Sequence, residues 1–409
     1  MRLSTLSIGD ELLSGEVVDT NASHIAGRCF QIGLRVQKHL TVGDQEESIV
    51  AALLELASAS DAVIVTGGLG PTPDDLTSAA AARAAGLEME VSAEALAHLD
   101  RFAARITGGL HPGNQRQALL PRGCPLIPNP LGTACGFELL IDGARLFFMP
   151  GVPFEMKRML EETVLPALAA EGREPNRRIV LKLFGTSEAA VAARLEGALP
   201  AGSPVELAYC VKFPEIHIIL RGEAKDAGLV ERAAAEVAGR FPRELFARDE
   251  DTMDEVLAAL FRQKGRTLSL AESCTGGMIA SRITSQGGSS AYFLEGAVTY
   301  SNRAKARMLG VPADLIDAKG AVSAEVAVAM ATGARLAAGS DLALSVTGIA
   351  GPDGGTPEKP VGTVYMALAD GNDCRVTRYN FQGDRDAVRS ITTVSALDWL
   401  RRYLLEEVQ

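Results

Sequence analysis

Residues 266–283, RTLSLAESCTGGMIASRI, decide the fold expected for the C-terminal part of the chain. A short apolar run that ends at Leu270 predicts a strand, and the pattern from Met278 to Ile283 predicts a helix. The turn between them holds a serine and a cysteine beside two glycines. Backbone N–H groups at a helix start attract negative charge, so this turn is expected to hold a phosphate group or a developing oxyanion.

Strand and helix patterns alternate around this turn over residues 252–409. Further strands are predicted from the apolar runs at Phe293–Tyr300, Leu342–Val346, Gly362–Ala369 and Cys374–Phe381. Further helices are predicted at Met253–Gln263, Lys305–Leu309, Ala324–Ala338 and Arg385–Leu405. Such alternation predicts an α/β domain whose active site lies at the carboxyl ends of strands.

The rest of the chain contains a second alternation and a smaller module. Strands at Leu3–Gly9, His39–Val42 and Asp61–Thr66 alternate with helices at Asn21–Gln31, Ile49–Ala59 and Leu76–Ala85. The predicted fold class is therefore α/β, with two three-layer α/β/α domains at 1–168 and 252–409. A small α+β module at 172–249 joins them, and its flanks at 171–175 and 248–251 are predicted linkers.

The composition limits the kinds of partner. The 409-residue chain carries 51 acidic and 40 basic residues, which gives a formal net charge of -11. Basic surfaces bind nucleic acids and anionic membranes, so neither is expected as a partner. Six scattered cysteines form no Cys-x-x-Cys pair, which argues against zinc and for reduced thiols. With no signal-peptide core and no long uncharged apolar run, the protein is expected in the cytoplasm.

A nucleophile in the C-terminal domain must work without imidazole. The last histidine is His217, so no serine–histidine or cysteine–histidine pair can form after it. Ser273 is the candidate nucleophile. Lys305, once desolvated, could take its proton, with Tyr300 orienting or relaying that proton. The sequence therefore predicts a hydrolytic site in which a lysine is the base.

Donors for an oxyanion are expected on two loops. One is the turn after the serine, with the backbone of Thr275, Gly276 and Gly277. The other ends a buried strand at Thr347 and Gly348. The carboxyl ends of neighbouring strands meet at one edge of an α/β sheet, so these loops are expected to face each other.

Other residues extend this predicted site, and several assignments have alternatives: Lys305 could be a solvated helix residue, and Arg385 a surface charge in the first turn of its helix. Arg385 or Arg389, at the start of the last helix, could grip a phosphate or carboxylate with two hydrogen bonds. The polar loop 287–290 precedes a strand and could join the same edge. Ser273 could instead be a plain helix N-cap. Cys274 is a rival nucleophile because helix starts lower thiol pKa values, although it could also point into the core.

A glycine-rich loop marks the N-terminal domain. Residues 67–77 follow a buried strand and precede a helix, and Gly67, Gly68 and Gly70 would let the backbone approach a ligand closely. Asp74 and Asp75 lie near the helix start, where a carboxylate can cap free N–H groups. A capped turn without a ligand is the alternative, but several glycines beside two acids favour a phosphate-type site.

Further acids are predicted at the same sheet edge. The loop 9–21 contributes Glu11, Asp19 and Asn21, and Asp44 follows a predicted strand. Carboxylates that converge beside a phosphate cradle suit a hard divalent cation such as Mg²⁺, with Asp44 and Asp75 as its ligands. Asp19 as an N-cap and Asp44 as a turn residue are equally open interpretations.

Taken together, these segments resemble the CinA family of competence/damage-inducible proteins over essentially the whole chain. The motifs that carry the resemblance are Gly9–Gly15, Gly67–Thr77 and Met149–Met156 in the first domain, and Ala271–Gly277, Tyr300–Asn302, Thr347–Pro352 and Gly354–Gly362 in the last. The resemblance implies that the last domain deamidates nicotinamide mononucleotide to nicotinic acid mononucleotide and ammonia without a cofactor. It also assigns catalytic and binding positions to Ser273, Tyr300, Lys305, Thr347, Arg385 and Ser290.

The resemblance has separate implications for the other regions. The first domain is similar to molybdopterin-binding domains, and in some family members it is an ADP-ribose pyrophosphatase whose acids match Asp44 and Asp75. The middle module resembles a KH-type domain. It lacks a Gly-x-x-Gly loop, so RNA binding is not expected. A homodimer is the implied assembly. A molybdopterin nucleotidyltransferase and a non-enzymatic regulator of competence or DNA repair remain alternatives.

Overall fold

The predicted alternation of strands and helices is present in the computed structural model, which describes residues 1–107, 109–169, 175–371 and 373–406. The internal contacts divide the chain into two units. Residues 1–177 with 222–227 form the first, and residues 178–221 with 228–409 form the second. Residues 171–174 of the first predicted linker lie outside the described residues.

The first unit is built on a six-stranded sheet. The strands of the unit in chain order are β1 (Leu3–Ile8), β2 (Val36–Val42), β3 (Ala62–Thr66), β4 (Met89–Val91), β5 (Leu119–Pro121), β6 (Leu126–Ile127), β7 (Gly136–Ile141) and β8 (Ala144–Met149), and all but β4 and β5 belong to this sheet. The order across the sheet is β2-β1-β3-β8-β7-β6, and β4 pairs separately with β5. The first four strands of that order are parallel, whereas β7 and β6 run antiparallel.

Helices cover both faces of this sheet. They are α1 (Asp10–Leu13), α2 (Thr20–Gln31), α3 (Glu46–Ala59), α4 (Thr77–Ala85), α5 (Ala93–Ala103), α6 (Pro153–Met159) and α7 (Leu165–Ala169), with a π-helical turn at Leu160–Val164 and a 3₁₀ turn at Pro112–Ala118. One apolar core joins the sheet to α3, α4 and α5. The other joins it to α2, α6 and α7. The result is the expected three-layer α/β/α arrangement.

The second unit begins with a four-stranded sheet. Its strands are β9 (Arg177–Leu183), β10 (Glu206–Lys212), β11 (Glu215–Gly222) and β12 (Leu245–Arg248), in the order β10-β11-β9-β12. Helices α8 (Glu188–Leu195) and α9 (Ala227–Gly239) pack on it through one apolar cluster, which contains Leu181, Val191 and Val230. This is the α+β module that the sequence predicts.

The larger sheet of the second unit is mixed. Its strands are β13 (Leu268–Glu272), β14 (Phe293–Val298), β15 (Leu342–Gly348), β16 (Thr363–Asp370) and β17 (Asp373–Asn380), in the order β14-β13-β15-β16-β17. Strand β13 is parallel to both of its neighbours, β14 and β15, whereas β16 is antiparallel to β15 and to β17. The turn after β13 therefore opens at the carboxyl ends of three parallel strands, where ligands bind in such sheets.

Helices also cover both faces of the mixed sheet. They are α10 (Met253–Lys264), α11 (Met278–Thr284), α12 (Asn302–Leu309), α13 (Ala313–Lys319), α14 (Ala324–Ala338) and α15 (Arg385–Glu406). One core holds α10, α11 and α15 against the sheet, and two clusters hold α12, α13 and α14 against the opposite face. None of the helices in the described part of the chain is both long and apolar enough to cross a membrane.

Candidate active site

Ser273 lies immediately after the buried strand β13. Its backbone N–H donates to the carbonyl of Val346 on β15, 3.0 Å away, so the turn is tied to the neighbouring strand. Gly276 and Gly277 follow with φ values of 63° and 96°, a left-handed conformation that side chains disfavour. These glycines let the chain reverse direction sharply between the strand and the helix. Ser273 itself is 8% exposed.

Lys305 meets this serine from helix α12. Ser301 caps the helix by accepting a hydrogen bond from Ala304 N, and the lysine lies in the first turn. Its Nζ donates to Ser273 Oγ at 2.9 Å and to the carbonyl of Thr299 at 2.8 Å. The residue is 1% exposed, and this burial lowers the pKa of Lys305 below its ordinary value of 10.5.

The pair opens into a small cavity of about 210 Å³. Its lining residues are Ser273, Cys274, Tyr300, Asn302, Lys305, Ala321, Val322, Thr347, Gly348, Ala350 and Arg385. None of these described residues is acidic, so no carboxylate lines the cavity to hold a proton on the lysine. An amine in such surroundings loses its proton more readily than an exposed one, and a neutral amine can act as a base.

Tyr300 and Arg385 form the outer edge of the cavity. The Arg385 guanidinium donates to the Tyr300 hydroxyl at 2.9 Å and to the carbonyl of Gly351 at 2.7 Å. Tyr300 is 61% exposed, so the pair stands where a ligand would enter. This places a cation at the mouth of the cavity and the serine–lysine pair at its base.

The start of helix α11 is occupied by the chain itself, which corrects part of the sequence prediction. The Glu272 carboxyl group is 1% exposed and accepts the backbone N–H groups of Gly277, Ile279 and Ala280 at 3.0, 3.2 and 2.8 Å. Gly276 N–H donates to the carbonyl of Ser273. The N–H groups of Gly276 and Gly277 are therefore not available for an external anion.

Cys274 is not the activated thiol that the turn allowed. Its side chain is 5% exposed, and burial raises the pKa of Cys274 to about 12. A helix start lowers a thiol pKa only when the sulfur is exposed to that positive end. The N–H groups of Cys274 and Thr275 do lower the pKa of this thiol, but burial outweighs them, so the thiol stays protonated and packs in the core.

A second cavity, of about 500 Å³, lies in the first unit at the carboxyl ends of β1 and β3. Its acidic lining residues are Glu11, Asp44, Asp74, Asp75 and Glu155, and none of its described lining residues is basic. Burial raises the pKa of Asp44, and the nearby carboxylates of Asp10, Glu11 and Asp74 raise it further. A hydrogen bond from Asp10 N, 2.8 Å from Asp44 Oδ2, opposes that rise.

Asp75 shapes the glycine loop of this cavity. Its two oxygens accept the N–H groups of Gly70 at 2.7 Å and Thr72 at 2.8 Å, and the Thr72 hydroxyl also donates to it. Helix α4 begins at Thr77 without a side-chain cap, so the predicted capping by Asp74 or Asp75 is wrong. A Cβ on Gly67 would lie 2.1 Å from the carbonyl oxygen of Ile8, so only glycine fits there.

Comparisons with known proteins place these features in a family. Residues 250–404 match the family described as the CinA C-terminal domain, and residues 4–170 match the one described as a probable molybdopterin binding domain. A CinA-like protein from Citrifermentans bemidjiense is 71% identical over 405 residues, which cover 99% of this chain and 98% of the relative. The chain belongs to the CinA family.

Two other relatives of this CinA-family chain extend the comparison. A CinA-like protein from Geobacter sulfurreducens is 57% identical over 414 residues, covering 99% of this chain and 100% of the relative. A crystal structure of the competence/damage inducible protein CihA from Agrobacterium tumefaciens is 40% identical. It covers 37% of this chain and 93% of its own, with a TM-score of 0.36.

Several predicted residues of this CinA-family chain lie outside the cavity of Ser273. Ser290 is exposed in the turn that precedes β14. Because β14 is parallel to β13, that turn is at the opposite edge of the sheet, and this chain alone does not bring Ser290 to the cavity. Arg389 donates to the carbonyl of Thr275 at 3.2 Å, which commits its guanidinium to the turn. The Thr275 side chain is fully buried.

The remaining predicted residues have mixed positions. Thr347 and Gly348 line the cavity, but the Thr347 hydroxyl donates to the carbonyl of Ala321. In the first unit, Asp19 accepts from Ala22 N and is the helix cap that the sequence allowed. The Asn21 side chain donates to the carbonyl of Gly151. Neither Asp19 nor Asn21 is among the lining residues of the acidic cavity.

Sequence reasoning missed four residues of interest around Ser273. Glu272 can accept the N–H groups of the helix start because it is the last residue of the buried strand β13. The signal in the sequence was a glutamate directly after an apolar strand and directly before the serine. Asn302 belongs to the Tyr300–Asn302 segment that was recognised as a motif, although it was not assigned to the site. Ala321 and Val322 come from the loop after α13, a helix that the periodicity did not reveal.

Proposed function

We propose that the C-terminal site hydrolyses the carboxamide of nicotinamide mononucleotide, with Ser273 as nucleophile and Lys305 as general base. The observation that carries the proposal is the Nζ to Oγ distance of 2.9 Å between two buried side chains. Membership of the CinA family supports an enzymatic role, and the substrate comes from the resemblance of the motifs around the serine turn.

The proposed reaction has two halves. Lys305 takes the hydroxyl proton as Ser273 Oγ bonds to the amide carbon, and the same proton passes to the leaving nitrogen as the C–N bond breaks. Ammonia departs and leaves a nicotinoyl ester on Ser273. Water then attacks the ester carbon and gives a proton to Lys305, which returns it to Ser273 as the C–O bond of the ester breaks. Nicotinic acid mononucleotide is released.

Two N–H groups are suitable donors for the oxyanion of this reaction. In the described part of the chain, those of Cys274 and Thr275 donate to no oxygen and face only the weakly accepting sulfur of Cys274, whereas the next ones in the turn are already paired. Both directly follow the nucleophile, which is where oxyanion donors are commonly found. Arg385, with Tyr300 beside it, would bind the phosphate of the substrate at the mouth of the cavity.

The test is ammonia release from nicotinamide mononucleotide by purified protein. Ser273→Ala is expected to abolish turnover, while Cys274→Ala, a matched change at the next residue, is expected to retain it. The opposite pattern would transfer the nucleophile role to the cysteine. Ammonia release unchanged in Ser273→Ala and Cys274→Ala alike would remove the proposal for this site.

For the N-terminal site we propose metal-dependent cleavage of ADP-ribose to AMP and ribose 5-phosphate. Five acids and no base line its cavity in the described residues, so a pyrophosphate could bind there only with a cation between the charges. No group of three or more His, Cys, Asp or Glu in the described ranges could hold a metal by itself. Mg²⁺ is commonly held by one or two carboxylates together with substrate phosphates, which fits Asp44 and Asp75.

When bound, such a cation would neutralise charge on the pyrophosphate. The chain's own part is to shape the loop that would position the ligand: Gly67 lets the backbone pack against the carbonyl of Ile8, and Gly70 lets it pack against the Asp75 carboxylate, which fixes the loop. Production of AMP is expected to stop in excess chelator and return with Mg²⁺. Full activity in chelator would discard the metal.

A second function for the first unit is supported by the match of residues 4–170 to the molybdopterin binding family. In that case the cavity would bind molybdopterin and take part in nucleotidyl transfer. Tight molybdopterin binding without ADP-ribose turnover would favour it.

A non-enzymatic regulator is the third candidate, and a partner that binds equally well after Ser273 and Asp75 are both replaced would support it. A cytoplasmic location and a homodimer stay predictions.

A further inference from the structure

The second unit contains a cavity of about 590 Å³ that the proposed reactions do not use. It lies between the β9–α8 loop of the α+β module and the face that β17 and α15 present. Its volume is within the range of small-molecule sites and exceeds the 210 Å³ around Ser273. The cavity is therefore large enough for a ligand of its own.

Aromatic rings form much of its wall. Tyr379 on β17 and Phe381, just after that strand, stack with centroids 5.2 Å apart and an interplanar angle of 15°. Trp399 on α15 and Phe184 at the end of β9 line the same space. Flat ring surfaces of this kind favour a flat aromatic ligand, because stacked rings gain both apolar burial and quadrupole attraction.

A cluster of three charges sits in the same wall and has an excess positive charge. Asp398 is 4% exposed and accepts two hydrogen bonds from Arg401, at 2.7 and 2.9 Å. Arg401 also donates to the carbonyls of Arg243 and Leu245, so its donors are used. Two guanidinium groups thus share one carboxylate, which leaves one positive charge unbalanced within the cluster.

Arg402 carries the unbalanced charge into the cavity. Its Nε forms an ion pair with Asp398 Oδ2, 2.6 Å away, whereas its Nη atoms donate to none of the described residues. A Cβ on Gly185 would lie 3.0 Å from Arg402 Nη2, so the glycine lets the guanidinium reach across the cavity. A guanidinium with uncommitted donors is a receptor for carboxylate, phosphate or sulfonate groups.

We propose that this cavity is a second ligand site, specific for a flat aromatic molecule that carries a negative charge. The rings of Tyr379, Phe381 and Trp399 hold the aromatic part, and Arg402 holds the anionic group. Because the β9–α8 loop and α15 both line the site, an occupant contacts the α+β module and the mixed-sheet domain at once. The ligand class includes nucleotides and aromatic carboxylates, which share this chemistry.

The full chain offers a direct measurement, since Trp399 is its only tryptophan. We would titrate the protein with 8-anilinonaphthalene-1-sulfonate and with its uncharged parent, N-phenyl-1-naphthylamine, and follow the quenching of tryptophan emission. The anionic dye is expected to quench saturably, with one dye per chain, and to bind at least about tenfold more tightly than the neutral one. AMP and nicotinate as competitors would distinguish a phosphate site from a carboxylate site.

Variants separate the site from general dye binding. Arg402→Gln is expected to weaken the anionic dye at least about tenfold and leave the neutral dye unchanged. Arg307→Gln, a change of an exposed arginine on α12, is the matched control and should alter neither. Thr186→Phe, which fills the cavity from the β9–α8 loop, should weaken both dyes. If Arg402→Gln does not fold, Arg402→Lys keeps the charge and is expected to retain most of the binding.

Three results would overturn the proposal. The first is equal affinity of the anionic dye for the wild type, Arg402→Gln and Arg307→Gln. The second is a neutral dye that binds as tightly as the anionic one. The third is dye that neither AMP nor nicotinate displaces. None of these readouts depends on ammonia release, so the outcome is independent of the function proposed for Ser273.

Discussion

Replacing Glu272 with glutamine tests whether a buried side chain holds the serine turn in place. In the native turn, Oε2 accepts from Gly277 N and Ile279 N, and Oε1 accepts from Ala280 N. A glutamine can keep one oxygen in place of Oε2. Its amide nitrogen must then face the N–H of Ala280, so two donors meet inside the core.

The magnitude follows from these three contacts. Losing the bond to Ala280 N and leaving a buried N–H without an acceptor costs about 1–3 kcal/mol. The two bonds that remain become neutral rather than charge-assisted, which roughly halves their strength. We therefore expect Glu272→Gln to reduce the free energy of unfolding of the mixed-sheet domain by about 3 kcal/mol.

The assay is urea unfolding followed by the fluorescence of Trp399. This tryptophan packs on the core that also contains Ile279 and Ile283 of α11, so its emission reports the domain in question. Glu295→Gln, at an exposed glutamate on neighbouring β14, is the matched control and should change the unfolding free energy by less than about 0.5 kcal/mol. Ammonia release by Glu272→Gln should fall at least about tenfold, because Ser273 adjoins the displaced helix start.

A loss of stability no larger than in the Glu295→Gln control would refute the reasoning. It would mean that the three N–H groups find water or other acceptors at no cost. The pH dependence of the residual activity should match the wild type, since Glu272 acts by positioning. A shifted profile would instead indicate that the carboxyl group takes part in proton transfer.

Three further predictions follow from the two sites. The free energy of unfolding of the wild type, relative to Lys305→Met, should increase as pH rises from the lowered pKa of Lys305 to 10.5, because in that range only the unfolded chain binds the proton. Urea unfolding at a series of pH values measures this difference. Parallel pH curves for the two proteins would contradict it. Asp75→Asn keeps one acceptor oxygen, so amide hydrogen exchange should speed about tenfold at whichever of Gly70 and Thr72 faces the new NH₂ group, for a lost bond of about 1.5 kcal/mol. Unchanged exchange at both residues would exclude the role of Asp75 in the loop. Asp44→Asn should raise the melting temperature in the absence of metal, because burial and nearby carboxylates raise the pKa of Asp44 and so disfavour its charged form. The same change should reduce the rise in melting temperature that Mg²⁺ causes, because it removes a ligand. An unaltered response to Mg²⁺ would argue against Asp44 as a ligand.

Most elements of the large sheet could be predicted because their apolar runs are short and bounded by glycine and polar turns. The strand at Leu342–Gly348 and the helix at Ala324–Ala338 agree with the predicted ranges to within two residues. Helix α13 was missed because only Ile316 of its seven residues is buried, so no apolar face repeats along it, whereas α11 of the same length buries Ile279 and Ile283 one turn apart. The short strands β4–β6 were missed because two or three residues carry no alternation.

The contact between Ser273 and Lys305 was predictable from the sequence. The occupation of the N–H groups at the start of α11 by the Glu272 carboxylate was not. Ser273 and Lys305 both adjoin the carboxyl ends of parallel strands, and such ends meet at one sheet edge. Which acceptor serves the N–H groups of α11 depends on the direction of one buried side chain, and a sequence does not specify this. The misplacement of Ser290 was avoidable, because a turn that precedes a parallel strand lies at the amino edge of the sheet.

The pH dependence of kcat/KM for ammonia release tests the lysine-activated serine most directly. A base must be neutral to accept a proton, and burial lowers the pKa of Lys305. We expect kcat/KM to rise with pH to a plateau, with a midpoint below 10.5. A rate that shows no rising ionisation below 10.5, or that falls as the lysine loses its proton, would contradict the mechanism.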